Sequence, residues 1–312
     1  MAFLAIENLK VQYQTQGKTI HAVDDVTFCL EDKESVGIAG ESACGKSTLG
    51  MAIMRSVQGG KIVSGDILFE NKSILKIPEE RFAKTFRWKM ISMIFQGAMN
   101  SLDPVFTVKR QFEEILETHH FNGNYQETIS NALNSVGLPL STLEKSPHEL
   151  SGGMKQRLVI AMALILKPRF VIADEPTTAL DVLVQAQIVS LLKKLKKDGM
   201  SLMLISHDLG VISEVADKIG IMYAGKIVEF GNLAEIFSNP KHPYTQVLLK
   251  AVPKMKGDVN LISLKGDPPS LSDIPAGCRF YERCPKAMDK CKRDPPKIKT
   301  ESGHVLCWLY DE

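Results

Sequence analysis

The 312-residue sequence has no long apolar run, little net charge and no closely spaced cysteine pair. Its longest apolar stretch, Leu158 to Leu166, stops at Lys167-Pro168, far short of the roughly 20 residues a helix needs to span a bilayer. The start, Met1-Ala2-Phe3-Leu4, leads directly to Glu7 and Lys10 without the apolar core of a secretory signal. A cytosolic chain that can still sit against a membrane protein is therefore expected. A net charge of +2 gives no support for broad electrostatic binding to nucleic acid. The basic run Lys193, Lys194, Lys196 and Lys197 falls on a periodic helix and reads as its solvated face. No internal repeat or low-complexity tract is visible. Six cysteines in a cytosolic chain argue against a disulfide framework, and the C-x2-4-C pairs of a tight zinc ribbon are missing.

What is present is an ordinary globular composition, 44% hydrophobic and 24% charged, long enough for one large α/β domain and a smaller appendage. Strands are expected at Leu4 to Tyr13, Val26 to Leu30 and Ser35 to Ala39, with a helix opening at Lys46 and running towards Ser56. Ile91 to Phe95 reads as a strand, and Gly97 to about Lys167 as mostly helical. Strands return at Phe170 to Ala173 and Leu202 to Ile205, flanking a helix over Asp181 to Lys197 with Ile188, Leu191, Leu192 and Leu195 on one face. Alternating strands and helices imply a largely parallel sheet. Beyond Pro240 a series of prolines marks a boundary.

Three segments carry chemistry. Gly40-Glu41-Ser42-Ala43-Cys44-Gly45-Lys46-Ser47, followed by Thr48, matches G-x-x-x-x-G-K-[ST] between an expected strand and an expected helix. Glycines let the backbone wrap phosphates, and a helix N-terminus turns its N–H groups towards the anion. Lys46 brings a positive charge to the β- and γ-phosphates, and the Ser47 hydroxyl is placed for magnesium. Asp174 ends the Phe170–Ala173 strand and can hold the magnesium shell, while Glu175 is placed to polarise an attacking water. Leu150-Ser151-Gly152-Gly153-Met154-Lys155-Gln156-Arg157 opens a helix and offers Ser151 and the amides of Gly152 and Gly153 as a second phosphate-binding surface.

With that third segment between the other two, the chain resembles the ABC ATPases. The resemblance implies an α/β fold: a P-loop NTPase core over 1–240, with an inserted helical subdomain at about 97–167. Further family positions follow in order. Gln96 stands where the Q-loop glutamine touches magnesium and water, and Ala179-Leu180-Asp181 matches the D-loop that crosses to a partner. His207 matches the switch histidine at the γ-phosphate. Tyr13, at the end of the first strand, stands where an aromatic ring stacks on adenine, a contact worth about 1–3 kcal/mol. In this family each ATP lies between the phosphate loop of one subunit and the Ser-Gly-Gly segment of another, so Gly40–Ser47 is half of a hydrolysis site. Ala43 stands where glycine is usual, and Gly97 where an acidic residue is common.

Cys278, Cys284, Cys291 and Cys307 are spaced C-x5-C-x6-C-x15-C near the C-terminus. Irregular spacing suits thiolates around a larger object such as a 4Fe-4S cluster, whereas His304 near Cys307 keeps a Cys3His zinc site open. Cys29 and Cys44 look unrelated to these four. His242-Pro243-Tyr244-Thr245, Leu248-Leu249, Pro253, Gly266-Asp267-Pro268-Pro269 and Pro275-Ala276-Gly277-Cys278-Arg279-Phe280 resemble the C-terminal region of dipeptide/oligopeptide importer ATPases. Met99-Asn100-Ser101-Leu102-Asp103-Pro104 resembles the same subfamily, beside its contact with the membrane subunit.

That likeness implies a Cys-rich C-terminal appendage over 241–312 and a 4Fe-4S cluster on the four cysteines, alongside ATP and Mg2+ as cofactors. It implies an ATPase at the cytoplasmic face of the membrane, partnered by a second ATPase (a paralogue or itself) and two permeases. An extracytoplasmic peptide-binding protein would feed them, with no role for nucleic acid. The same likeness leaves other solutes, nickel or sugars, within reach of a closely similar machine. A soluble ABC ATPase of DNA repair, translation or iron–sulfur assembly is the rival reading. The long coiled-coil or zinc insertion of the DNA-repair type and the second nucleotide domain of the translation factors are missing from these 312 residues.

Overall fold

The computed structural model describes residues 2–97, 101–251 and 266–311. Met99, Asn100 and Pro253, named above, lie outside them. The chain forms two compact units, Met1–Lys76 with Leu204–Glu312, and Ile77–Met203.

The first unit opens with β1 (Leu4–Thr15) and β2 (Lys18–Leu30), an antiparallel hairpin closed where Thr15 faces Lys18. Its two-residue turn, Gln16 and Gly17, has positive φ at both positions, the geometry that matches strand twist in tight hairpins. The next strand, β3 (Ser35–Ala39), is buried at all five residues, with the Ser35 hydroxyl satisfied by donating to the Val215 carbonyl at 2.9 Å. The helix α1 (Lys46–Ile53) follows the phosphate loop and ends sooner than the expected Ser56, because Arg55 turns to φ 52. Then come β4 (Gly60–Phe69) and the short β5 (Lys72–Ser73), giving a four-stranded sheet in the order β2-β1-β4-β5.

The second unit begins with α2 (Glu79–Thr85) and β6 (Ile91–Ile94). Three helices follow: α3 (Val108–Thr118), α4 (Tyr125–Ser135) and α5 (Gly152–Leu164). Each starts on a side-chain cap that accepts a backbone N–H, Thr107, Asn124 and Ser151 respectively. The strand β7 (Phe170–Asp174) lies parallel to β6, with Ile94 opposite Ala173. α6 (Val182–Lys197) is capped by Asp181 and carries Lys194, Lys196 and Lys197 in its last turn, where positive charge complements the helix dipole. The division between units falls inside β8 (Ser201–Ile205).

Back in the first unit, α7 (Leu209–Val215), β9 (Lys218–Tyr223), β10 (Lys226–Asn232), α8 (Leu233–Ser238) and α9 (Pro243–Lys250) complete the core. β9 runs parallel to β3, pairing Val36 with Lys218 and Ala39 with Ile221. β11 (Lys297–Lys299) and β12 (His304–Leu306) return from the C-terminal segment, so the strands run in the order β11-β12-β10-β9-β3. The proline-rich end is thus woven into this unit by the pairing of Glu229 with Val305 and Phe230 with His304. Among the described residues no helix is long and apolar enough to cross a membrane.

Candidate active site

The phosphate loop sits between β3 and α1 in the first unit and is clasped by its neighbours. Gly45 has φ 105, and a Cβ there would lie 1.9 Å from the Ala22 carbonyl oxygen. At Gly40 a Cβ would meet the Met222 carbonyl oxygen at 2.1 Å. Only glycine fits either place. Lys46 is buried, and its Nζ donates to the carbonyls of Gly40 at 2.9 Å and Glu41 at 2.8 Å, which holds the ammonium inside the loop. Cys44 lies beneath it, its thiol pushed above the ordinary range by burial. Ser47 is half-buried, and Thr48 is buried, with its Oγ1 3.4 Å from the Tyr13 hydroxyl. Tyr13 is seated against Gly60, where a Cβ would fall 2.7 Å from the ring. A cavity of about 240 Å³ is lined by Tyr13, Ile20, Ala22, Ala43 and Gly45 through Thr48, together with Leu271.

His207 follows the end of β8 in the same unit and is exposed. Ser206 N–H donates to the Ile38 carbonyl, 3.2 Å away, which fixes this turn beside the strand that feeds the loop. Asp208 then caps α7 through Gly210 and Val211.

In the second unit, the parallel register brings Gln96 and the acidic pair to one edge. Ile94 is paired with Ala173, and Gln96 and Glu175 each follow two residues after that last pair. Asp174 is buried and Glu175 half-buried. Glu175 has φ 49, a left-handed conformation that side chains adopt at a cost and that clusters at functional sites. The Thr178 hydroxyl donates to Glu175 Oε2 at 3.0 Å and orients the carboxylate. Ser151 caps α5 through Met154 N–H, and Gly152 and Gly153 form the first turn. A Cβ on Gly153 would come within 2.7 Å of Val184, whose N–H is capped by Asp181 Oδ1 at 2.9 Å. The Ser-Gly-Gly segment and Asp181 are thereby neighbours.

Contacts that sequence reasoning missed come from the C-terminal segment. The Glu41 N–H donates to the Tyr244 hydroxyl at 3.0 Å, and the Glu41 carboxylate is paired with Arg283. Tyr244 and Tyr223 are fully buried, with ring centroids 4.6 Å apart, and Phe280 packs against both. His242 caps α9 by accepting the Tyr244 N–H at Nδ1, and burial pushes its pKa down to about 3, the neutral form an acceptor requires.

Cys278, Cys284, Cys291 and Cys307 line one small cavity with His242, Phe280 and Trp308 among its walls. Burial pushes the Cys278 thiol up to about 11, and the other three cysteines add to the rise. The N–H groups of Phe280, Lys286 and Leu309 favour the thiolates of Cys278, Cys284 and Cys307. Four thiolates together need positive charge among them, and N–H donors to sulfur suit cluster ligation. Sulfur donors are the ligand type of an iron–sulfur cluster. Among the described residues, however, no three His, Cys, Asp or Glu side chains are grouped to hold a metal ion. His304, the alternative zinc ligand, does not line that cavity and stacks on Phe230 at 6.0 Å.

Residues 23–178 match the ABC transporter family, and residues 228–291 match the oligopeptide/dipeptide transporter C-terminal region. The chain belongs to the ABC transporter family and is an ATPase of that family. It is 44% identical to the oligopeptide transport ATP-binding protein AppD of Bacillus subtilis, over 99% of this chain and 97% of that one. It is 43% identical to the dipeptide transport ATP-binding protein DppD of the same organism, over 99% and 95%. Among solved structures it is similar to the dimeric ATP-binding cassette MJ0796 in a post-hydrolysis state with ADP and Pi. The TM-score is 0.66 at 27% identity, over 74% of this chain and 98% of that one.

Proposed function

We propose that this chain binds and hydrolyses ATP to energise import of di- or oligopeptides through a membrane ABC transporter. The observation that carries the peptide reading is the match of residues 228–291 to the oligopeptide/dipeptide transporter C-terminal region. The domains are an ATPase domain over 1–240, with a helical subdomain at about 97–167, and a C-terminal domain over 241–312. The helical run from α3 to α5 supports the subdomain, and the match of residues 228–291, which begins ahead of the 240 boundary, supports a distinct C-terminal region.

Within the ATPase domain, Gly40–Thr48 hold the phosphates and Tyr13 the adenine. Ser47, Gln96 and Asp174 hold magnesium, which screens phosphate charge. Glu175 orients the water as general base, and His207 contacts the γ-phosphate. Ser151, Gly152, Gly153 and Asp181 serve the ATP of a partner ATPase, whether a paralogue or a second copy. Val182 and Leu183, beside Asp181, are 81% and 77% exposed, an apolar surface suited to such a partner. Val105 and Phe106, after Ser101–Pro104, are exposed too and support contact with one of two permeases. The chain then works at the cytoplasmic face, and an extracytoplasmic binding protein delivers the peptide. A 4Fe-4S cluster on Cys278, Cys284, Cys291 and Cys307 is part of this reading and plays a structural or regulatory role.

The test is reconstitution of the chain with its partner ATPase and permeases in liposomes carrying the binding protein. Uptake of labelled peptides that needs ATP and stops in Glu175→Gln is expected. Uptake of nickel or a sugar with none of peptide would overturn the substrate.

A further inference from the structure

The cavity beside the phosphate loop has two kinds of lining. Lys46, Ser47 and Thr48 are polar. Ile20 and Ala22 from β2 and one residue far along the chain, Leu271, are apolar. A nucleotide offers both chemistries, a polyanion and a flat, largely apolar base.

Leu271 does not reach this place by accident of a loose loop. Its carbonyl accepts the His21 N–H at 2.9 Å, which ties it to β2 beside Ile20. Pro268 and Pro269 stiffen the approach through their fixed φ. A turn then presents the leucine: Asp273 N–H donates to the Ser270 carbonyl at 3.0 Å, and Ser272 N–H to Ser270 Oγ at 3.3 Å. Leu271 also lines a second cavity, of about 330 Å³, formed by Glu41–Cys44 and Pro268–Ser272, so the segment flanks the loop along its length.

We propose that Leu271 is a nucleotide-binding residue, an apolar wall supplied by the C-terminal segment that packs on the adenine held by Tyr13. The proposal rests on the reading that the base lies against Tyr13. It extends the site beyond the ATPase domain's own motifs and makes the C-terminal segment a determinant of affinity for adenine nucleotides.

The test measures Kd for ATP and for inorganic tripolyphosphate on the full chain, by calorimetry, in Leu271→Ala, Leu271→Met and Tyr13→Ala. Loss of most of one leucine contact should weaken ATP roughly 5–10-fold in Leu271→Ala. Tripolyphosphate and the thermal midpoint should stay unchanged, and Leu271→Met should restore ATP binding. Equal weakening of tripolyphosphate would mean that Leu271 acts through the phosphate loop, and would overturn the base contact. If Tyr13→Ala weakens ATP while Leu271→Ala does not, the inference fails and the site at Tyr13 stands. If neither weakens it, both fail.

Discussion

Arg283 forks onto Glu41, donating Nη1 and Nη2 to the two carboxylate oxygens at 2.9 and 3.0 Å, while Nη1 also reaches the Tyr223 hydroxyl at 3.1 Å. Burial works against the Arg283 charge, but Glu41 and Tyr223 more than offset it and hold its pKa above the usual guanidinium value. The pairing links the residue next to Cys284 with the second residue of the phosphate loop.

That link carries a sign. Glu41 is an anion in a loop built to receive anions, and Arg283 both neutralises it and draws it aside. Arg283→Ala should weaken ATP binding about tenfold, from about 1–2 kcal/mol of uncompensated repulsion. Adding Glu41→Gln to that variant should recover most of the affinity, because the offending charge is gone. Calorimetric Kd values for the two singles and the double form a cycle. A double variant weaker than Arg283→Ala alone would show that the pair holds the fold and not the electrostatics.

Glu175→Gln removes the group set to polarise water while keeping its size. Phosphate release by the assembled ATPase should fall at least about 100-fold, with ATP still bound and the closed dimer accumulating. Thr178→Val removes only the hydroxyl at Glu175 Oε2, so its turnover should fall less, with Kd for ATP unchanged. Wild-type turnover in Glu175→Gln would move the base elsewhere.

Much of this site is legible in the chain because its parts are local. The buried run Ser35–Ala39 stops at a glycine that its surroundings demand, and Phe170–Asp174 leads straight into Glu175. The helix expected over Asp181 to Lys197 begins one residue later, at Val182, with Asp181 outside it as the cap on Val184. The first strands were harder. β1 and β2 extend through Gln14 to Thr19, mostly exposed positions with no apolar alternation to announce them. In β4, Lys61 and Val63 to Gly65 are likewise exposed, with no apolar alternation. Tyr244, Leu271 and Arg283 were invisible as site residues for another reason. Their partners Glu41 and His21 lie more than two hundred positions earlier, and no local pattern encodes a contact of that range.

The four cysteines give a spectroscopic prediction. On the proposed cluster reading, anaerobically purified protein should be brown and carry about four iron and four sulfide per chain. Cys278→Ser or Cys291→Ser should lose the colour and the iron, whereas Cys29→Ser, an exposed thiol away from that cavity, should keep both. Colourless protein carrying zinc would replace the cluster with a single ion.

The loop itself supplies a pair of substitutions with opposite signs. Gly45→Ala would set a methyl 1.9 Å from the Ala22 carbonyl oxygen at a φ of 105, so neither the backbone nor the neighbour can yield cheaply. It should cost about 3 kcal/mol or more and abolish ATP binding, because the amides after Gly45 lose their direction. Ala43 is the reverse case: an exposed alanine already held at φ 60. Glycine there relieves about 1–2 kcal/mol of left-handed strain while adding up to about 1 kcal/mol of unfolded-state freedom. Ala43→Gly should therefore be neutral to slightly stabilising, with ATP affinity retained, as read by thermal unfolding with and without nucleotide. A fall in the midpoint as large as that of Gly45→Ala would mean that the Ala43 methyl makes a contact outweighing its backbone strain.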